Sequence, residues 1–267
     1  MKMNVLTRTI AAAGISAIAL VGVNLTLAAQ APSQPDQTQQ DGQKDKKDQK
    51  AKPAQGKSQQ APGQQKRLPP QEQQARVQQQ EQRTAQYRQH LDEQQRIAEQ
   101  QSARLQQQKR RSQVTFQQQY AAGLHDQQVR IQTQGRYNYD SDPYFYTPST
   151  YRYARSGRYY ETNQYGADML RHAVNSGYDQ GVRAGLADRQ DRWASNYQSS
   201  YAYQDANYGY NGLYIDRLDY NAYFREGFRR GYQDGYNSRY TYGTYANGHG
   251  TLLGAIMATI INFESIR

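Results

Sequence analysis

Apolar positions along the 267-residue chain fall into five patterns. Thr9 to Val23 is a continuous apolar run. Ala31 to Pro70 holds almost nothing that a fold could bury. From Gln71 to about Gln119 one weakly apolar residue recurs per heptad: Val77, Thr84, Leu91, Ala98 and Leu105. Its partner seam is glutamine at Gln80, Gln94, Gln101 and Gln108, with Tyr87 the one apolar member. Two later segments carry apolar rows at a spacing of four. Leu170, Val174, Tyr178, Val182 and Leu186 form one, and Tyr220, Phe224, Phe228, Tyr232 and Tyr236 the other. Thr251 to Phe263 closes the chain with a helical stripe through Leu252, Leu253, Ile256, Met257, Ile260 and Ile261.

Each pattern predicts an element. Lys2 and Arg8, the apolar run and the small residues of Leu27-Ala28-Ala29-Gln30-Ala31 have the three-part form of a secretory signal over residues 1–29. Residues 30–70 read as a disordered linker. Pro69-Pro70 then precedes a stretch free of Gly and Pro, where proline opens a helix well. Residues 71–135 are expected to form a Gln-rich helical arm, either a solvated single helix or a weak coiled coil, because a stable coiled coil needs both seams apolar. Phe116, Tyr120 and Leu124 thicken the stripe at its end as a face for docking on the C-terminal half. Residues 136–165, rich in Tyr and Arg, read as irregular.

The most specific signal is an internal repeat. Tyr178-Asp179-Gln180-Gly181-Val182-Arg183-Ala184-Gly185-Leu186-Ala187-Asp188 matches Phe224-Arg225-Glu226-Gly227-Phe228-Arg229-Arg230-Gly231-Tyr232-Gln233-Asp234. Beside each apolar row runs a glycine row: Gly177, Gly181 and Gly185 in the first copy, Gly227, Gly231 and Gly235 in the second. Spacing of four keeps a row on one helix face, and Asp179/Arg183 and Glu226/Arg230 are helix-type charge pairs. Each interior glycine costs about 1 kcal/mol relative to alanine, so close approach of a partner must offset the loss. The reading is a mainly α fold: a small helical hairpin or three-helix Tyr/Gly-rich domain over residues 166–267. One helix is expected over Gly166 to Arg192 and the other over Tyr214 to Asn237. A tyrosine-rich connection joins them, Gly248-His249-Gly250 turns the chain, and the apolar tail closes the core as a third helix. Gly177, Gly181, Gly185, Gly227, Gly231 and Gly235, with Tyr178, Phe224, Phe228 and Tyr232, are the expected packing residues. A protease-resistant fragment is expected to start between Arg136 and Gly166 and to run to the C-terminus.

Composition narrows the function. Only 36% of residues are hydrophobic, too few for a compact enzyme built on the whole chain. There is no cysteine, which excludes disulfides, thiolate metal sites and a lipoprotein anchor. Of the net +10 charge, two units lie in the leader, seven between Gln30 and Gly135 and one beyond. All tyrosines except Tyr87 and Tyr120 lie from Tyr137 onward.

Candidate chemistry is sparse. His90, His125, His172 and His249 have no metal-binding spacing. Asp140-Ser141-Asp142 lacks a third ligand, and Asp188 and Asp234 read as partners of arginines or helix caps. No catalytic residue, metal site or cofactor site is expected. The sequence therefore reads as an exported, non-enzymatic structural or interaction protein of the cell envelope, with a Gln-rich spacer and a Tyr/Gly-rich head. A basic module for acidic envelope polymers or glycans is the alternative. Self-association or envelope polymers are the expected partners, with no nucleic acid and no transmembrane span in the mature chain.

Overall fold

The computed structural model describes residues 67–266. The signal and nearly all of the linker lie outside them. Six α-helices and two small sheets make up the described chain. Helix α1 spans Pro70–Gln107 and α2 spans Arg111–Thr133. The Gln-rich segment is therefore two helices, and the expectation of one continuous arm is corrected. The break is a Schellman turn. Lys109 takes the left-handed conformation at φ 60°, and the N–H groups of Lys109 and Arg110 donate to the carbonyls of Gln106 and Leu105. The two helices run antiparallel, with Gln128 donating to Asp92 at 2.6 Å and Arg88 to the Ile131 carbonyl at 3.3 Å.

This pair packs onto the C-terminal half rather than standing clear of it, which replaces the spacer of the sequence reading. Gln80, Tyr87, Leu91 and Ala98 of α1 are buried, as are Phe116, Tyr120, Leu124 and Ile131 of α2. The buried glutamines explain how a Gln-lined face docks. A primary amide carries a donor and an acceptor, as a peptide group does. The Gln80 side chain donates to the Gly212 carbonyl and accepts from the Tyr214 N–H at 3.0 Å. Gln127 donates to the Asn207 carbonyl at 3.1 Å and accepts from the Gly209 N–H at 2.9 Å.

Helices α3 (Gln164–Gln190) and α5 (Arg217–Asn237) form the centre. They lie within three residues of the expected limits, but they are not a hairpin. Contacts advance together along both chains: Gly177 meets Phe224, Gly181 meets Phe228 and Gly185 meets Tyr232. The helices are thus parallel. Their connection, 191–216, carries the chain back along the pair and includes the short helix α4 (Tyr201–Asp205).

Strands β1 (Tyr151–Arg155) and β2 (Arg158–Thr162) form a hairpin within the segment expected to be irregular. Ser156 and Gly157 both have positive φ, 49° and 76°, which fits a two-residue type I′ turn. Strands β3 (Gly243–Ala246) and β4 (His249–Leu252) form a second hairpin, so the turn is Asn247-Gly248 rather than Gly248-His249-Gly250. The apolar tail is shorter as a helix than expected. Its first residues belong to β4, α6 covers only Gly254–Ile261, and β5 (Glu264–Ser265) then pairs antiparallel with β1. Leu252 and Ile261 are buried, whereas Leu253 and Ala258 are exposed. The tail caps the parallel pair at its edge instead of supplying a third core helix.

Candidate functional site

The six row glycines sit where the two central backbones meet. A Cβ on Gly177 would lie 2.0 Å from the Phe224 carbonyl oxygen, and one on Gly227 1.9 Å from that of Val174. Gly181 faces Phe228 as Gly231 faces Tyr178, and Gly185 faces Tyr232 as Gly235 faces Val182. Each glycine therefore directs a Cα hydrogen at a carbonyl of the partner's apolar row, a weak C–H···O contact worth about 0.5–1 kcal/mol. Six such contacts help offset the helix propensity lost at glycine. The arrangement is two-fold: Gly177 stands in α3 where Gly227 stands in α5. The sequence repeat matches Gly181 with Gly227 instead. A row of period four is unchanged by a slip of one turn, so the repeat could not show this.

Apolar rings flank the rows. Tyr178, Phe224, Phe228 and Tyr232 are fully buried, and Phe224, Phe228, Tyr232 and Tyr236 stack with centroids 6.0 to 6.4 Å apart. The phenols have a separate task. Tyr178 donates to Asp234 across the pair at 2.8 Å, and Tyr232 donates to Asp188 in the reverse direction at 2.6 Å. Tyr153 bonds Asp219 at 2.7 Å and Tyr120 bonds Asp205 at 2.6 Å. Tyr137 and Tyr214 both donate to Asp142. Five buried aspartates are each held by a tyrosine.

Burial sets the protonation of two of them, Asp188 and Asp219. It raises the Asp188 carboxyl against the opposing pull of the Tyr232 phenol and the Arg110 guanidinium. It raises Asp219 in the same way, against Tyr153 and Arg155. Burial likewise pushes the Tyr214 phenol up to about 12. These phenols stay protonated and donate.

Of the sequence candidates, Asp188 does meet an arginine, Arg110, which also lies 4.6 Å from the Trp193 ring centroid. Asp234 accepts the N–H groups of Thr241 and Tyr242, both at 2.9 Å. Asp142 accepts the Tyr144 N–H and so caps a turn. The histidines are dispersed. His90 lies 3.1 Å from the Asn207 amide, His172 is 3.3 Å from Ser176, and His249 is 3.9 Å from Asp179. No group of three metal-ligating side chains occurs among the described residues. Asp205, Asp219 and the glutamine clamps were missed in sequence. Their partners are distant in the chain, and a glutamine in a glutamine-rich run carries no mark of its own.

Two open clefts flank the loop 134–145. One, of about 790 Å³, lies against the start of α1, with Gln74, Gln78, Glu81, Tyr137, Tyr139 and Phe145 among its walls. The other, of about 520 Å³, lies against Tyr165 and Tyr214. A groove of about 510 Å³ runs between α1 and α2, lined by Leu91, Ala98, Ala121 and several glutamines. Comparison with protein-family models, with curated protein sequences and with solved structures finds no match to this chain. Among the described residues, no helix is long and apolar enough to cross a membrane.

Proposed function

We propose that this is an exported, non-enzymatic structural or interaction protein of the cell envelope. The observation that carries the reading is the use made of its buried acids. Asp142, Asp188, Asp205, Asp219 and Asp234 are all buried and all engaged by tyrosine phenols, so these five serve packing rather than acid–base chemistry on a substrate. Such pairs lock packing. Without cysteine, a protein outside the cytoplasm has no covalent staple, and enclosed phenol–carboxylate bonds serve in its place. The leader-like residues 1–29 support export, and the polar, tyrosine-bearing clefts support binding.

Fractionation of cells making the full chain is the test. The expected result is a product shortened near Ala28 to Ala31 and recovered with the envelope or the medium. Recovery of the uncut chain in the cytoplasm would overturn the reading.

A further inference from the structure

We propose that the cleft between the start of α1 and the loop 136–145 binds a neutral oligosaccharide. The inference deepens the envelope-binding reading above and rests on it.

One wall is a helix face. Gln74, Gln78 and Glu81 follow at helical spacing, so successive side chains stand about 6 and about 4.5 Å apart along the axis. All three are exposed to solvent rather than packed. The opposite wall is aromatic. Tyr137, Tyr139 and Phe145 form a three-ring cluster, with Tyr139 5.0 Å from Tyr137 and 4.8 Å from Phe145 between centroids. The cluster is anchored from behind, since Phe145 is buried and the Tyr137 phenol donates to Asp142. Arg76 fastens the two walls together by donating to the carbonyls of Tyr144 and Thr147. Tyr139 remains half-exposed. Its phenol is raised by burial, and Glu81 of α1 lines the same cleft.

This chemistry suits a sugar chain. Amides and a carboxylate bond hydroxyl groups as donors and acceptors, and a half-exposed ring accepts the C–H face of a pyranose as an amphipathic surface. The volume, about 790 Å³, is in the range of ligand sites and exceeds one sugar unit. The charged lining residues, Arg136 with Glu81 and Asp140, supply no excess of positive charge for an acidic polymer. The polar walls also disfavour an apolar helix or lipid tail.

The test titrates the full chain with chitohexaose, cellohexaose and maltohexaose by calorimetry. Saturable binding of at least one is expected, unchanged by added salt. Glu81→Ala and Tyr139→Ala should each weaken it roughly tenfold, with unfolding midpoints held. Tyr159→Ala, on an exposed ring in β2, should leave it unchanged. The site is refuted if all three sugars fail to bind, if either cleft variant binds normally, or if only polygalacturonate binds and salt abolishes it. Should the sugars fail while the chain still fractionates with the envelope, this cleft alone is lost. Cytoplasmic retention would remove the wider reading as well.

Discussion

At the residue scale, glycine and tyrosine carry the fold for opposite reasons. Glycine is required where two backbones touch. Gly181→Ala should gain about 1 kcal/mol in helix propensity, yet its methyl would sit 2.2 Å from the Phe228 carbonyl oxygen, which no rotamer change relieves. Overpacking of that kind costs about 1–3 kcal/mol or more. Urea unfolding should show a net loss of up to about 2 kcal/mol, while Gly254→Ala, with no neighbour within 4 Å, should be neutral or better. The glycine rows were legible in sequence because their period is strict. The aspartates were not, because nothing local marks Asp219 as the acid that Tyr153 will meet. Burial raises Asp219 above its ordinary value of 3.8. The folded state therefore takes up a proton before the unfolded state does. Its contribution to stability is lost as pH rises through the folded value, and is fully present below 3.8. Asp219→Asn lacks this titration. The stability of the native chain relative to that variant should accordingly improve as pH falls from neutrality, read as unfolding midpoints across the range.

At the element scale, three helix ends share one device without glycine. Lys109, Arg192 and Ser238 all occupy the left-handed position, at φ 60°, 55° and 48°. Behind each, the following N–H reaches back to Leu105, Asp188 or Asp234. A non-glycine residue there costs roughly 1 kcal/mol. Lys109→Gly and Arg192→Gly should each stabilise the fold by about that amount, measured in denaturant. The same fact explains why one arm was expected where two helices stand, since no Gly or Pro punctuates Gln108-Lys109-Arg110. The hairpin β1–β2 escaped for another reason. Its Tyr-x-Tyr alternation resembled the tyrosine-rich loops around it, and only Ser156-Gly157 marked a turn. The two central helices were readable because charge spacing and apolar period agree inside them, at Asp179/Arg183 and Glu226/Arg230.

At the scale of the whole molecule, direction was hidden from sequence, and attachment was legible only where Phe116, Tyr120 and Leu124 thicken the apolar stripe. Two like segments joined by a tyrosine-rich connection suggest a hairpin, but 191–216 is long enough to return the second helix to the start of the first. The docking of α1 and α2 revises the expected stable fragment. With Tyr87, Leu91, Phe116 and Tyr120 buried, limited proteolysis should leave a core starting near Arg67, Gln-rich helices included. A fragment beginning only after Arg136 would show that the helical pair detaches. The common direction of α3 and α5 has an electrical consequence. Antiparallel helices cancel their macrodipoles, whereas these add. One extremity gathers two positive poles, next to Asp216 and Asp219. The other gathers two negative poles and also holds Asp188 and Asp234, which is why Arg110 and the N–H groups of Thr241 and Tyr242 converge there. Each extremity thus concentrates one sign of partial charge, and the chain answers with groups of the opposite sign, carboxylates at the first and a guanidinium with N–H donors at the second.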